Sequence, residues 1–123
     1  MKQGLILFAH GARDPRWAEP LERLRQKIQV ARPGLLVALA YLELMAPDLG
    51  TAVDQMVASG CTELRVVPVF LGQGGHVRRD LPELVERAAA RHAGLTIELA
   101  LPLGESDAVL DRMAAVCIDG IPG

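Results

Sequence analysis

The sequence alternates short apolar runs with amphipathic stretches, and this rhythm repeats along the whole chain. The apolar runs are too short for helices and are typical of strands buried on both faces; they cover residues 4–9, 35–42, 64–71 and 95–100. Between and after these runs, apolar residues recur every three or four positions, which predicts amphipathic helices. Alternating strands and helices favour a parallel sheet with right-handed crossovers and helices on both faces.

Residues that favour helix ends mark the boundaries of the predicted helices. Asp is a favoured cap and Pro suits the first helical turn, whereas Gly is common just after the last turn. The predicted starts are Asp14–Pro15, Pro47–Asp48, Asp80–Pro82 and Ser106, and the predicted ends are Pro33–Gly34, Gly60, Gly94 and about Ile118. Pro68 lies inside the third apolar run and cannot donate a ladder hydrogen bond, so we expect a bulge or an exit from regular pairing there.

The predicted architecture is a three-layer α/β sandwich around a four-stranded parallel sheet, with the strand–helix unit repeated four times. A single domain over residues 1–118 is expected, followed by a loose tail at 119–123. The chain has 123 residues, of which 50% are hydrophobic and 23% charged, a composition typical of a compact soluble domain.

Charge and motif content exclude several classes of function. A net charge of −2 gives no reason to expect nucleic acid or an anionic membrane as a partner. Cys61 and Cys117 form no Cys-x-x-Cys pair, which excludes a zinc ribbon and a thioredoxin-type redox site. Both are therefore predicted to be small buried hydrophobes. No dinucleotide or Walker motif occurs, so no organic cofactor is predicted. Without a signal peptide or a membrane span in the sequence, we expect a cytoplasmic protein.

Two of the three histidines follow predicted strands. His10 comes after the first strand, Glu43 after the second, and His76 after the third in a glycine-rich stretch. Because ligands of open parallel sheets bind beyond the carboxyl ends of the strands, these side chains are predicted to share one rim. Each has a plain structural alternative: His10 could cap a turn, Glu43 could be the first polar residue after a strand, and His76 could be an exposed loop residue. The remaining histidine, His92, is interpreted as structural.

Imidazole and carboxylate together suit cobalt, nickel, iron or zinc ions. A structural zinc site uses four protein ligands, whereas this rim offers three, which favours exchange or catalysis. Arg78 and Arg79 lie near a predicted helix start, where cations are unfavourable, and this suggests that an anion binds between them and the helix.

Residues 10–16 (HGARDPR) and 68–82 (PVFLGQGGHVRRDLP) resemble motifs of the short sirohydrochlorin chelatases. Those enzymes insert cobalt, nickel or iron into a modified tetrapyrrole on the way to cobalamin, coenzyme F430 or siroheme. The resemblance covers nearly the whole chain in length and strand–helix order. It implies a chelatase of the lyase class whose metal ion is a substrate, with cobalt preferred over nickel and iron, and whose short form is a homodimer.

The resemblance also assigns site residues. His10 and His76 match the family's two histidines, and Glu43 matches its acidic residue more loosely; these three would bind the metal and move protons. The substrate is a polycarboxylate, and its predicted binding residues are Arg13, Gly74, Gly75, Arg78 and Arg79. Ala12 stands where the family usually has Ser or Thr, which removes one hydroxyl contact to the substrate.

Two other functions are compatible with parts of this pattern. A non-catalytic metal or tetrapyrrole carrier could use the same fold and rim. Phosphoryl transfer of the histidine-phosphatase kind would also place a His-Gly pair after the first strand. That chemistry needs an Arg directly before the histidine, and Ala9 stands there.

Overall fold

The computed structural model describes residues 2–72 and 74–123, and a parallel sheet forms its centre. The strands are β1 (Lys2–Ala9), β2 (Leu36–Tyr41), β3 (Cys61–Pro68) and β4 (Thr96–Leu99), in the order β2-β1-β3-β4. The helices are α1 (Glu19–Ala31), α2 (Leu49–Ala58), α3 (Gly75–Ala90) and α4 (Asp107–Ile118). Two short 3₁₀ turns cover Pro15–Ala18 and Leu103–Glu105. The predicted α/β class with a four-stranded parallel sheet is confirmed.

All three strand pairs are parallel, and β1 pairs with both β2 and β3. The third strand starts at Cys61 and ends at Pro68, earlier at both ends than its apolar run predicted. Pro68 lies opposite Phe8 as the last strand residue, which agrees with the expected exit from pairing. The Val69 N–H then donates to the Phe8 carbonyl oxygen at 2.7 Å, so β3 stays attached to β1 as the chain leaves the sheet.

Helices cover both faces of the sheet. On one face, α2 and α3 pack against alternate residues of the strands; this core includes Ile6, Phe8, Val53, Val66 and Leu81. On the other face, α1 packs over β1 and β2; this smaller core consists of Leu7, Ala9, Leu21, Leu39 and Tyr41. Alternation along buried strands thus divides the apolar residues between two layers of helix.

The first two helices begin close to where the sequence predicted. Asp14 Oδ1 accepts the Arg16 N–H at 2.9 Å, and Asp48 Oδ1 accepts the Thr51 N–H at 2.8 Å. The chain after Asp14 forms a 3₁₀ turn before α1 begins at Glu19. The hydrogen bond from the Thr51 backbone N–H lowers the pKa of the Asp48 carboxyl, because that bond favours the charged form.

The predicted start of α3 at Asp80–Pro82 was wrong. The helix begins at Gly75, with Gly74 as its cap, and Pro82 lies inside it. Pro interrupts the hydrogen bonding of a helix interior, but packing of a buried apolar stripe holds the helix together on both sides of it. As a result, His76 lies in the first turn of a helix instead of in a loop. The helix also ends at Ala90, before the predicted Gly94.

The fourth helix forms as predicted, but it does not join a face of the sheet. The Ser106 hydroxyl accepts the Val109 N–H at 3.3 Å and caps the helix. Within residues 2–72 and 74–123, α4 packs mainly against the 3₁₀ turn Leu103–Glu105, and none of its residues is buried. Cys61 is buried as predicted, whereas Cys117 on α4 is exposed, so its prediction as a buried hydrophobe was wrong. No helix in the described ranges is long and apolar enough to cross a membrane.

Candidate functional site

The order of the strands places a crevice between β1 and β3. The chain moves from β1 to β2 on one side and then crosses to β3 on the other side of β1. In open parallel sheets, ligands bind outside the carboxyl ends of the strands at such a switch point. His10 follows directly after β1, and His76 lies in the first turn of the helix that follows β3. Both predicted histidines therefore flank this crevice.

His10 forms a pair with Glu43 that the backbone holds in place. His10 Nε2 lies 3.7 Å from Glu43 Oε1, and the Glu43 N–H donates to the His10 carbonyl oxygen at 3.1 Å. Between them, Gly11 has a φ of +97°, and a Cβ there would collide with the Glu43 carbonyl oxygen. Only glycine combines this backbone conformation with so close an approach. The loop after β1 is thus fastened to the loop after β2.

An aromatic side chain supports the His10 ring. The rings of His10 and Phe70 meet edge to face, with centroids 6.1 Å apart and planes at 66°. Phe70 in turn packs edge to face on Phe8, whose side chain is fully buried in the core. The His10 side chain remains 51% exposed, so its ring is supported on one side and open to solvent on the other.

His76 forms a second pair, with Asp80. His76 Nε2 lies 3.0 Å from Asp80 Oδ2, and the two residues are one helical turn apart on α3. The His76 side chain is 82% exposed. Sequence reasoning missed Asp80 as a site residue because it was interpreted as a helix start. The i, i+4 spacing on one helix would have revealed the pair.

Both pairs line one pocket of about 370 Å³. Its apolar walls are formed by Leu42, Val77, Leu81 and Leu84. Within the part of the chain that the structure describes, no three His, Cys, Asp or Glu side chains lie close enough together to hold a metal ion. The predicted ligands thus line one pocket but belong to two separate pairs, His10 with Glu43 and His76 with Asp80. Joint binding of a metal by His10, Glu43 and His76 stays a prediction.

The predicted substrate-binding residues lie on the same rim, outside the pocket lining. Gly74 caps α3 and Gly75 opens it, and both are exposed. Arg78 Nη2 lies 3.9 Å from Glu105 Oε1, and Arg79 Nε donates to the Gly75 carbonyl oxygen at 3.3 Å. Arg13 is exposed in the loop after His10. The rim therefore carries exposed cations near both histidines.

His92 lies outside this site, in agreement with its structural interpretation. His92 Nε2 lies 2.7 Å from Asp54 Oδ1, and the same carboxylate pairs with Arg91. These contacts join the end of α3 to α2. His92 thus provides a natural control for the two histidines of the rim.

Residues 4–117 match the family model of CbiX. The chain belongs to the CbiX family. This match spans both histidine–carboxylate pairs and every helix and strand except the first residues of β1 and the last residue of α4.

Solved structures and curated relatives agree with this assignment. A putative cobalamin biosynthesis CbiX protein from Marinobacter aquaeolei superposes with a TM-score of 0.82 at 37% identity, covering 94% of this chain and 93% of that one. The sirohydrochlorin cobaltochelatase of Saccharolobus solfataricus is 30% identical, with 82% of each chain covered.

Other relatives are matched over a smaller share of their length. The sirohydrochlorin ferrochelatase of Bacillus subtilis is 28% identical over 89% of this chain, which spans only 42% of that enzyme. The sirohydrochlorin cobaltochelatase of Methanococcus aeolicus is 30% identical over 68% of this chain, which covers 58% of its length. The chain thus spans about half of the length of these relatives.

Proposed function

We propose that this protein is a sirohydrochlorin chelatase that inserts a divalent metal ion into a modified tetrapyrrole. The observation that carries the proposal is that two histidine–carboxylate pairs line one pocket at the switch point of a CbiX-family sheet. Relatives named cobaltochelatase and ferrochelatase support the reaction class. We propose cobalt as the preferred metal, with nickel and iron as alternatives. The lyase class of the protein, its cytoplasmic location and its role in cobalamin or siroheme biosynthesis stay predictions.

The metal ion is a substrate, and His10, His76 and Glu43 are its proposed ligands. Neutral imidazole nitrogen and carboxylate oxygen form a borderline donor set that suits Co²⁺, Ni²⁺ and Fe²⁺. His10 Nε2 already lies 3.7 Å from Glu43 Oε1. The exposed His76 side chain has room to turn from Asp80 toward the incoming ion. Binding of a metal would thus join the two pairs into one site.

The same side chains would also accept protons. Insertion of a divalent metal removes two pyrrole N–H protons from the macrocycle. A neutral imidazole nitrogen that releases the metal can accept one of these protons as a general base. Glu43 and Asp80 each lie next to one histidine and would stabilise the imidazolium that forms. The carboxylates would then pass the protons on to solvent.

The rim outside the pocket is proposed to bind the carboxylates of the substrate. Arg13, Arg78 and Arg79 are exposed near the two histidines, and guanidinium groups bind carboxylates with paired hydrogen bonds. The free N–H groups after Gly74, at the start of α3, add donors for an anion. Arg78 is paired only loosely with Glu105, so a carboxylate of the substrate can compete for it.

We propose that the protein acts as a homodimer. A pocket of about 370 Å³ is small for a tetrapyrrole with its carboxylate side chains. A second copy would supply the other wall of a wider cleft, and two-fold pairing is the commonest symmetry of oligomers. The Bacillus subtilis relative, of which this chain spans only 42%, is long enough to contain two such units, and this supports the arrangement.

A visible-absorbance assay of metal insertion tests the proposed function. Sirohydrochlorin would be mixed with Co²⁺, Ni²⁺ or Fe²⁺ and with the wild-type chain, His10→Ala, His76→Ala or the control His92→Ala. We expect insertion well above the spontaneous rate for wild type and His92→Ala, and a loss of about 10²-fold or more in the two site variants. Tight binding of metal or tetrapyrrole without any acceleration would identify a carrier instead of an enzyme.

A further inference from the structure

The 3₁₀ turn Leu103–Glu105 follows β4, yet its backbone is joined to the loop after β3. The Gly104 N–H donates to the Phe70 carbonyl oxygen at 2.8 Å. A Cβ on Gly104 would collide with the carbonyl group of Leu71, so the two backbones approach more closely than any other residue would permit. The φ of Gly104 is not positive, and it is therefore space alone that requires glycine here.

Core packing does not explain this close approach. Within the described ranges, neither core cluster includes a residue of the turn. Helix α4, which follows the turn, buries none of its described residues, so the turn does not dock a core helix. The contact instead fixes the segment that links β3 to α3, and this segment leads into the site.

Phe70 is the residue of that segment which reaches the site. Its ring meets the His10 ring edge to face, with centroids 6.1 Å apart, and it meets the Phe8 ring in the same way. Phe70 lies two residues beyond the end of β3. The Val69 N–H makes the last backbone bond to β1, and among the described residues the bond from Gly104 is the next that joins this segment to another element. The position of the Phe70 ring thus depends on the Gly104 contact.

We propose that Gly104 is a positioning residue for His10. It holds the Phe70 backbone, and the Phe70 ring in turn limits the orientations that the exposed His10 ring can adopt. The inference rests on the proposed function, in which His10 is a metal ligand, because a ligand binds best when its supporting contacts fix it before the ion arrives. Gly104 itself lies outside the lining of the histidine pocket and acts only through Phe70.

A second contact of the turn is much looser and provides a control. Glu105 Oε1 lies 3.9 Å from Arg78 Nη2, and both side chains are exposed, so this ion pair contributes little to the geometry of the turn. Glu105→Gln removes the ion pair and retains the Gly104 hydrogen bond. It therefore separates an effect of the charge from an effect of the backbone contact.

Histidine ring signals in proton–carbon NMR spectra of the metal-free chain test the positioning directly. The chain has three histidines, and single His→Ala variants assign their signals. We expect Phe70→Leu to shift the His10 ring signals, because it removes the ring current of a neighbouring aromatic side chain. Gly104→Ala should shift them in the same direction, whereas Glu105→Gln should leave them unchanged at the same pH. The signals of His92, beyond the end of α3, should keep their wild-type positions in all three variants.

Combining the two substitutions distinguishes positioning through Phe70 from a general disturbance of the fold. In a Phe70→Leu chain, Gly104→Ala should move the His10 signals little further, as expected for two residues that act in series. An equal shift in both backgrounds would overturn the inference. Loss of stability in Gly104→Ala, with the His10 signals at their wild-type positions, would also overturn it, because the glycine would then be merely structural.

A backbone substitution keeps the test independent of the added Cβ, should Gly104→Ala fail to fold. Glycolic acid in place of Gly104 removes the N–H donor and adds no atom that could collide with Leu71. This ester should shift the His10 signals as Gly104→Ala does. Wild-type His10 signals in the folded ester would contradict the inference.

Isothermal titration with Co²⁺ connects the positioning to the proposed site. Gly104→Ala and Phe70→Leu should bind the ion about tenfold more weakly than wild type, the usual effect of removing a contact that orients a ligand. Gly34→Ala, whose Cβ would meet no neighbour, should bind it as wild type does. A shifted His10 ring with wild-type affinity for Co²⁺ would overturn the positioning role. Absence of metal insertion by wild type would contradict the proposed function and leave the NMR result intact, whereas unshifted His10 signals with normal insertion would contradict only this inference.

Discussion

The two histidine–carboxylate pairs line the same pocket but are held in different ways. His10 and Glu43 belong to loops after two adjacent strands, and a backbone hydrogen bond of 3.1 Å joins those loops. His76 and Asp80 are joined only by one turn of α3. The His10 side chain is 51% exposed and packs on Phe70, whereas the His76 side chain is 82% exposed.

This difference suggests a division of labour within the proposed site. A side chain held by the backbone and by an aromatic contact is preorganised, and preorganised ligands lose little freedom when they bind. A side chain on an exposed first turn can change rotamer at little cost. We therefore expect His10 and Glu43 to fix the position of the metal, and His76 with Asp80 to deliver or release it. The predictions below test this contrast.

The largest effect is expected from Gly11→Ala, which disturbs the His10–Glu43 pair alone. The φ of +97° and the close Glu43 carbonyl exclude a Cβ, so the variant should lose about 3 kcal/mol of stability and most metal insertion. Gly75→Ala is the matched control, since its Cβ would meet no neighbour and should stabilise α3 by up to about 1 kcal/mol. Urea unfolding measures the stability of both variants. Equal stability of the two variants would contradict the proposed role of the Gly11 turn.

A smaller effect is expected from neutralising the two carboxylates. Glu43→Gln should reduce the rate of metal insertion by about 100-fold, because it removes a proposed ligand, and Asp80→Asn by about tenfold, because it only weakens a partner of His76. Steady-state rates with sirohydrochlorin and Co²⁺ give the comparison. A larger loss for Asp80→Asn than for Glu43→Gln would reverse the proposed division of labour.

The smallest effect concerns Asp48, a carboxylate with a structural role at the start of α2. Asp48→Ala removes the cap of α2 and should reduce stability by about 1 kcal/mol at pH 7, with metal insertion unchanged. The pKa of Asp48 is lowered in the folded chain, so its stabilisation is present above the unfolded pKa of about 3.9 and is lost as the pH falls through the folded pKa. Urea unfolding at pH 7 and near pH 3 should show the gap between wild type and variant closing. A constant gap would contradict this account.

Much of the fold could be predicted because its signals are local. The apolar runs of β1 and β2 and the caps Asp14, Asp48 and Ser106 predict their elements closely. The start of α3 was missed because Gly74 and Gly75 have weak helix propensity, while Asp80 and Pro82 imitate a helix start. Tertiary packing decided that boundary.

The site was predictable as far as it depends on the order of the strands. His10, Glu43 and His76 follow strand ends, so parallel topology alone brings them to one rim. Asp80 was missed because its role depends on the true start of α3. The separation of α4 from the sheet was also missed, because an amphipathic pattern predicts that a helix buries one face but does not say against what.

The central claim is that His10 and His76 act on one metal ion. Isothermal titration with Co²⁺ tests it directly for wild type, His10→Ala, His76→Ala, the double variant and the control His92→Ala. We predict one high-affinity ion per chain in wild type and His92→Ala, weaker binding by about tenfold or more in each single variant, and little further loss in the double variant, as expected for residues that act together. Two ions per chain, with each single variant losing one and retaining the other at full affinity, would contradict the account.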